Sequence, residues 1–324
     1  MPESLDVILS PVILFFALGA AAAFVRSDLA IPEALAKGLS LYLMAAIGLK
    51  GGTEVAAAGF TVDLLSAGLL GIALSFLLPL PVFAILRRLG GLDRIDAAAI
   101  SAHYGSVSVV TFVTGVEVLG ANGLPPAGYM VAVLALMETP AIVTGLLLAR
   151  GGRANKTRDR GGRELLRETV FNGSVLLLIG SFAIGVVIGK QGFSSIAPVF
   201  ESGFRGVLCL FLLDMGLVAA RRLMEAKSLT FRLAALAIAF PVVNGTLGVV
   251  LATLIGLDTG SAAIFGILAG SASYIAVPAA MRLALPEADP GLYLAMSLAV
   301  TFPFNIILGI PIFTALATFL GLLR

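Results

Sequence analysis

Two short runs of glycine and serine interrupt an otherwise apolar chain: His103-Tyr104-Gly105-Ser106-Val107-Ser108 and Ala269-Gly270-Ser271-Ala272-Ser273-Tyr274. Each falls near the middle of a long apolar stretch. Serine is a preferred N-cap and glycine leaves helical geometry easily, so each run reads as a break in a helix. The second half of each broken helix is expected to start near Ser106–Ser108 and near Ser271–Ser273. A restarting helix offers unpaired N–H groups and about half a positive charge. Two such ends meeting would hold an anion without any Lys or Arg. The residues expected to do so are Gly105, Ser106, Val107, Ser108, Gly270, Ser271, Ala272 and Ser273, with Tyr274 beside them. One such run alone would be read as small residues easing helix packing. Two at related positions favour a site.

The ionisable residues inside apolar stretches come next, because charge in a membrane is costly and marks function by default. Glu138 sits in Met-Glu-Thr-Pro, where Pro140 frees backbone carbonyls one turn back. That carboxylate, with the hydroxyls of Thr139 and of Thr301 in the related Thr-Phe-Pro, is an all-oxygen set suited to Na⁺. Asp214 and Lys50 occupy related places in two other stretches and would form either an ion pair or an ion site. His103, the single histidine, is read as a packing residue before a proton relay. Glu117 is expected in solvent at a helix end, and Asn172, Asn244 and Asn305 as interhelical hydrogen bonders.

The elements that must position these groups follow from composition. Of 324 residues, 59% are hydrophobic and 12% charged, and mean hydropathy is +1.06. Soluble domains are about 45–50% apolar and about 25% charged. This excludes a disordered chain, a nucleic-acid binder and most soluble enzymes, and describes a polytopic membrane protein. Cys209 stands alone, so no disulfide framework forms within the chain. The acidic start, Met-Pro-Glu-Ser-Leu-Asp, is unlike a cleaved signal. A window of about 20 apolar residues gives ten spans: 8–25, 35–57, 62–87, 95–119, 127–149, 169–189, 203–221, 231–256, 261–284 and 290–321. They are read as helices, since barrel strands would alternate. Seventeen of the 21 basic residues fall on one side of this arrangement. That side is expected to be cytoplasmic, with both termini outside. The Arg-rich stretch 151–168 reads as a cytoplasmic linker between residues 1–150 and 169–324.

The two halves resemble each other. Ile47-Gly48-Leu49 matches Met215-Gly216-Leu217, Ala98-Ala99-Ile100 matches Ala262-Ala263-Ile264, and Gly128 and Pro140 match Gly291 and Pro303. Five spans per half is odd, so the second copy would enter from the opposite face. The expected fold is all-α, a 5+5 inverted repeat with two broken helices crossing at the midplane, as in many secondary transporters.

With these motifs in view, the chain resembles the sodium-dependent bicarbonate permease family over nearly its whole length. The resemblance rests on Ala-Ile-Gly-Leu-Lys-Gly-Gly (46–52), Gly-Ser-Val-Ser (105–108), Met-Glu-Thr-Pro-Ala (137–141), Asp214-Met-Gly-Leu and the second Ser-rich break with Pro278 and Arg282. It implies Na⁺-coupled uptake of bicarbonate or a similar small anion across the plasma (inner) membrane, with no enzymatic activity. It also implies a gate part (spans 1, 2, 6, 7), a core part (spans 3–5, 8–10), a homotrimer and a PII-like cytosolic regulator. By motif, Ser106, Ser108, Ser271 and Ser273 would bind the anion, and Glu138 stands where cyanobacterial members have Asp. The chain departs at the second break, where Ala272 interrupts the serines and Tyr274 replaces an acid. An organic-anion:Na⁺ symporter or a Na⁺/H⁺ antiporter on the same fold is the alternative. An intramembrane hydrolase using Ser106 with His103 is disfavoured, because the break between them spoils helical spacing and no orienting acid is evident.

Overall fold

The computed structural model describes residues 11–59, 61–151, 173–226 and 228–323. The described chain is helical throughout. Helices lie at each of the ten expected positions: α1 (Pro11–Phe24), α2 (Glu33–Ala58), α3 (Val62–Leu77) continuing into α4 (Pro79–Arg88), α5 (Arg94–Gly105), α6 (Val109–Ala121), α7 (Met130–Glu138), α8 (Pro140–Arg150), α9 (Gly173–Ser194), α10 (Phe204–Glu225), α11 (Phe231–Leu254), α12 (Thr259–Ala269), α13 (Ala276–Ala284) and α14 (Pro290–Gly321). Six helical stretches are long and apolar enough to cross a membrane: Val62–Arg88, Arg94–Ala121, Met130–Arg150, Leu176–Ser194, Phe231–Leu254 and Pro290–Gly321. Two of the others, α2 and α10, carry several charges each, and α1 and α12 are short. Of the basic stretch 151–168 only Gly151 lies within the described residues, as does none of Met1–Ser10, Asn172 or Lys227.

Local sequence explains where helices start and stop. Thr61, Asp93, Ser108, Thr230, Asp258 and Asp289 are N-caps whose side chains accept an N–H of the first turn. Prolines stand at the starts of α4 and α8, where the missing N–H costs nothing. Pro303 lies inside α14 and cannot donate to the ladder. On either side of it the helix widens into π-helical stretches, Ala295–Thr301 and Asn305–Gly309.

Without a hydrophobic drive between helices in lipid, close approach must come from small residues. Two pairs show this. Along α2 and α9, Gly48 meets the Leu178 carbonyl and the Ser181 hydroxyl, Gly52 meets the Phe182 carbonyl, and Gly185 meets the Leu49 carbonyl. Along α1 and α10, Gly19 abuts the Leu213 carbonyl and Gly216 the Phe16 carbonyl. A methyl group at any of these would strike backbone. Gly52→Ala is therefore expected to lower stability by about 1–3 kcal/mol, read as an earlier thermal transition in detergent. The remaining helices pack into a second group: α5 against α4 and α8, α3 against α7, α11 against α12, and α14 against both α11 and α12. Large apolar side chains such as Leu18, Val187, Val243 and Leu254 point outward, as lipid contact requires.

Candidate functional site

The two predicted breaks exist. The first is three residues long, Ser106 to Ser108, between α5 and α6. The second is longer than expected: α13 starts only at Ala276, so Gly270 to Ile275 are non-helical. Two contacts tie down this extra length. The Ser273 N–H donates to the His103 carbonyl (2.9 Å), and the Tyr274 ring packs edge-on against Phe302 (5.1 Å).

The breaks touch each other. The Ser108 N–H donates to the Ser271 hydroxyl oxygen (2.9 Å), while the Ser273 N–H donates back across to His103. Equivalent N–H groups of the two runs thus reach over the crossing. Each run also caps its own following helix. Ser108 Oγ accepts the Thr111 N–H (3.2 Å) and hydroxyl (2.9 Å), and Ser273 Oγ accepts the Val277 N–H (3.3 Å). The other two serines are spent inside the protein. Ser106 donates to the Glu138 carbonyl (2.9 Å) and Ser271 to the Leu268 carbonyl (2.8 Å). All four serines are buried, as are Val107 and Ala272. The glycines let neighbours in: Gly105 lies against Pro79 and Ala141, and Gly270 against the Pro241 carbonyl and Phe313. The Tyr274 hydroxyl lies near Ser108 without a well-formed hydrogen bond.

In the first turn of α6 the Thr111 and Phe112 N–H groups are taken by Ser108. Val109 and Val110, the other two of that turn, line a cavity of about 10 Å³. Its remaining walls are Ser40, Leu43 and Met44 of α2, Phe211 of α10, Val113 and Ile275. This is about the smallest space that holds one water.

Glu138 ends α7, and two carbonyls at the α7–α8 junction, those of Met137 and Glu138, already have side-chain donors. Ser75 Oγ donates to the Met137 carbonyl (2.7 Å) and accepts the Ala141 N–H (3.2 Å), so a hydroxyl is inserted into the α7–α8 ladder. Ser106 takes the Glu138 carbonyl. The Glu138 carboxylate is different: the residue is 4% exposed, and its Oε2 is buried with no partner. Thr139 is half-buried beside it. Thr301 is engaged elsewhere, donating to the Ala237 carbonyl (2.6 Å) and accepting from the Tyr104 hydroxyl (2.7 Å). No hydrogen bond joins it to Glu138. Thr301→Val keeps the shape but strands the buried Tyr104 hydroxyl, which costs about 1–3 kcal/mol. A lower melting temperature in detergent is the expected reading.

One alternative falls away, one expectation is corrected and one is met in part. Lys50 does not pair with Asp214. Its amine is half-exposed and lies 3.9 Å from Glu201, while Asp214 is buried on α10 without an ion pair among the described residues. Glu117 is not simply solvated, since its carboxylate is 22% exposed and bound by Arg205 at 2.6 Å, linking α6 to α10. His103 is only half satisfied: Nδ1 donates to the Ala99 carbonyl (2.7 Å), the ring stacks on Tyr293 (4.7 Å), and Nε2 has no partner. The two described asparagines of the three singled out do as expected, with Asn244 donating to the Tyr104 carbonyl (3.4 Å) and Asn305 to the Gly270 carbonyl (2.9 Å). Ser75 was missed, although a lone serine four residues ahead of Pro79 in an apolar run is a readable signal.

Broken apolar helices that meet through main-chain N–H groups, among helices long and apolar enough to cross a membrane, are an architecture of secondary transporters. The comparison with known families specifies which. Residues 11–318 match the model of the Na⁺-dependent bicarbonate transporter superfamily, and the chain belongs to that family. No curated protein matches the chain closely enough to add to this.

Proposed function

We propose that the chain imports bicarbonate or a similar small anion together with Na⁺, by alternating access between an outer and an inner face. The observation that carries this reading is the crossing itself: the Ser108 and Ser273 N–H groups reach across the two breaks, and Glu138, whose carboxylate is unpaired, is tied to the first through its main-chain carbonyl. The anion would sit at the N-terminal turn of α6, on the Val109 and Val110 N–H groups, with the Ser108 and Ser273 runs around it. Na⁺ would sit at Glu138. Its charge offsets that of the anion and lowers the cost of taking both out of water, which is the physical origin of coupling.

Packing supports an inverted 5+5 repeat with a gate and a core. Exchanging the halves turns span 1 into span 6 and span 2 into span 7. The observed pairing of α1 with α10 and of α2 with α9 is what that exchange preserves. The small cavity has one wall from the breaks and one from α2 and α10. It is too small for a hydrated anion, so the two walls must part for loading. The basic-residue bias supports termini outside the cytoplasm of a plasma (inner) membrane protein.

The test is uptake of labelled bicarbonate by protein in liposomes, with and without an inward Na⁺ gradient. Accumulation only with the gradient is expected. Equal uptake in both conditions removes Na⁺ coupling. No uptake by folded protein removes bicarbonate and turns attention to organic anions, with Tyr274 as the residue to examine.

A further inference from the structure

A second, larger cavity of about 340 Å³ lies against α2 and α6, two of the helices that wall the small one. On α2 the small cavity touches Ser40, Leu43 and Met44, and the large one Ile47, Lys50 and Glu54. On α6 the small cavity touches Val109, Val110 and Val113, and the large one Phe112, Val116, Glu117 and Gly120. The two are therefore stacked along one axis, one to two helical turns apart. Ile47 and Phe112 stand where they meet. Residues 125–128, just ahead of α7, close the far side. The mouth belongs to the side that carries few basic residues.

The chemistry of the large cavity suits charged cargo. Among the described residues Lys50 is its one lining cation, half-exposed and at a loose 3.9 Å from Glu201, and Glu54 and Glu117 are its lining carboxylates. A contact of that length between exposed groups is worth little. Glu54, four positions on in α2, is the amine's other acidic neighbour, and its carboxylate already accepts the Gly128 N–H. The amine is therefore loosely held and can turn to an entering anion. Glu117 is held by Arg205, which keeps that carboxylate from standing as a bare negative charge at the entrance. The pair also joins α6 to α10, across the same boundary that the small cavity straddles.

We propose that this cavity is the outer vestibule of the transport path, where cargo waits above the Ile47–Phe112 constriction before reaching the breaks, and that Lys50 is the group that receives the anion there. The inference rests on the transport reading above and adds the entrance and the residue that lines it. Lys50 is a positioning residue for entry, remote from the Ser108–Ser271 crossing.

Gly120 allows a clean test, because an added Cβ there meets nothing within 4 Å. Gly120→Cys is made beside Gln191→Cys, an exposed site that does not line the cavity. Cys209 is removed by Cys209→Ala in both. A membrane-impermeant, positively charged methanethiosulfonate is added from outside right-side-out vesicles, and labelling is followed by mass. Gly120→Cys is expected to label from outside and then lose at least about nine-tenths of its uptake. Gln191→Cys is expected to label and keep its uptake. Complete labelling of Gly120→Cys with uptake unchanged, or labelling only from the cytoplasmic face, overturns the vestibule. Lys50→Gln is expected to raise KM for the anion about fivefold with kcat held, and an unchanged KM removes Lys50 from this role. Should the unlabelled protein carry no bicarbonate, the bicarbonate reading fails by itself. Labelling from outside, which needs no cargo, still decides for or against the vestibule.

Discussion

The Glu138→Gln variant is expected to need at least about tenfold more Na⁺ for half-maximal uptake. That is a loss of about 1.4 kcal/mol of Na⁺ binding. The physical case starts from burial. The residue is 4% exposed, no ion pair reaches it among the described residues, and Oε2 has no hydrogen-bond partner. An unpaired carboxylate is costly to bury and more so inside a membrane. A Na⁺ beside it removes that cost. Glutamine keeps the shape and replaces the charge with a donor that repels the cation. The carbonyls nearby, capped by Ser75 and Ser106, remain as they are in either variant. The fold should therefore survive, and helicity and detergent melting can confirm that it does. The measurement is a Na⁺ titration of labelled uptake in liposomes. A titration curve identical to that of the parent would remove Glu138 from the coupling site.

The second large effect belongs to the crossing. Ser108→Ala with Ser271→Ala is expected to cut uptake more than tenfold while leaving a folded protein. Ser271→Ala strands the buried Ser108 N–H, at about 1–3 kcal/mol. Ser108→Ala removes the cap of α6, typically about 1 kcal/mol, and strands the Thr111 hydroxyl. The two residues share a hydrogen bond, so their costs will not add. Ser108→Thr separates positioning from simple loss of stability, because it keeps the hydroxyl and the cap. It should retain most of the uptake. Parent-like uptake by the double variant would move the site away from the breaks.

Much of this was legible because membrane helices announce themselves by length and apolarity. The span expected over 35–57 is found as Glu33–Ala58, and the break expected after Gly105 falls on Ser106 to Ser108. The serines, too, were readable as caps. What escaped the sequence is pairing at a distance. Glu117 meets Arg205 across 88 positions, and Lys50 meets Glu201 rather than Asp214. Nothing in local pattern fixes such partners. The length of the second break escaped for a related reason: its contacts are with His103 and Phe302, both remote in sequence. The π-helical stretches around Pro303 depend on how the surrounding helices let the ladder widen, so proline alone marks the place without giving the form.

The donors at the crossing are main-chain amides and hydroxyls, and none carries a formal charge. A dipole's field dies away faster with distance than the field of a full charge. Such a site exerts almost no pull on an ion in the surrounding water and acts only on one already in contact. On the reading proposed above, recognition at the crossing is a short-range matter of how many lone pairs an ion can present and in what directions. A spherical halide offers no preferred directions, whereas a flat oxyanion does. On the proposed reading, the absence of formal charge among these donors would set selectivity by shape.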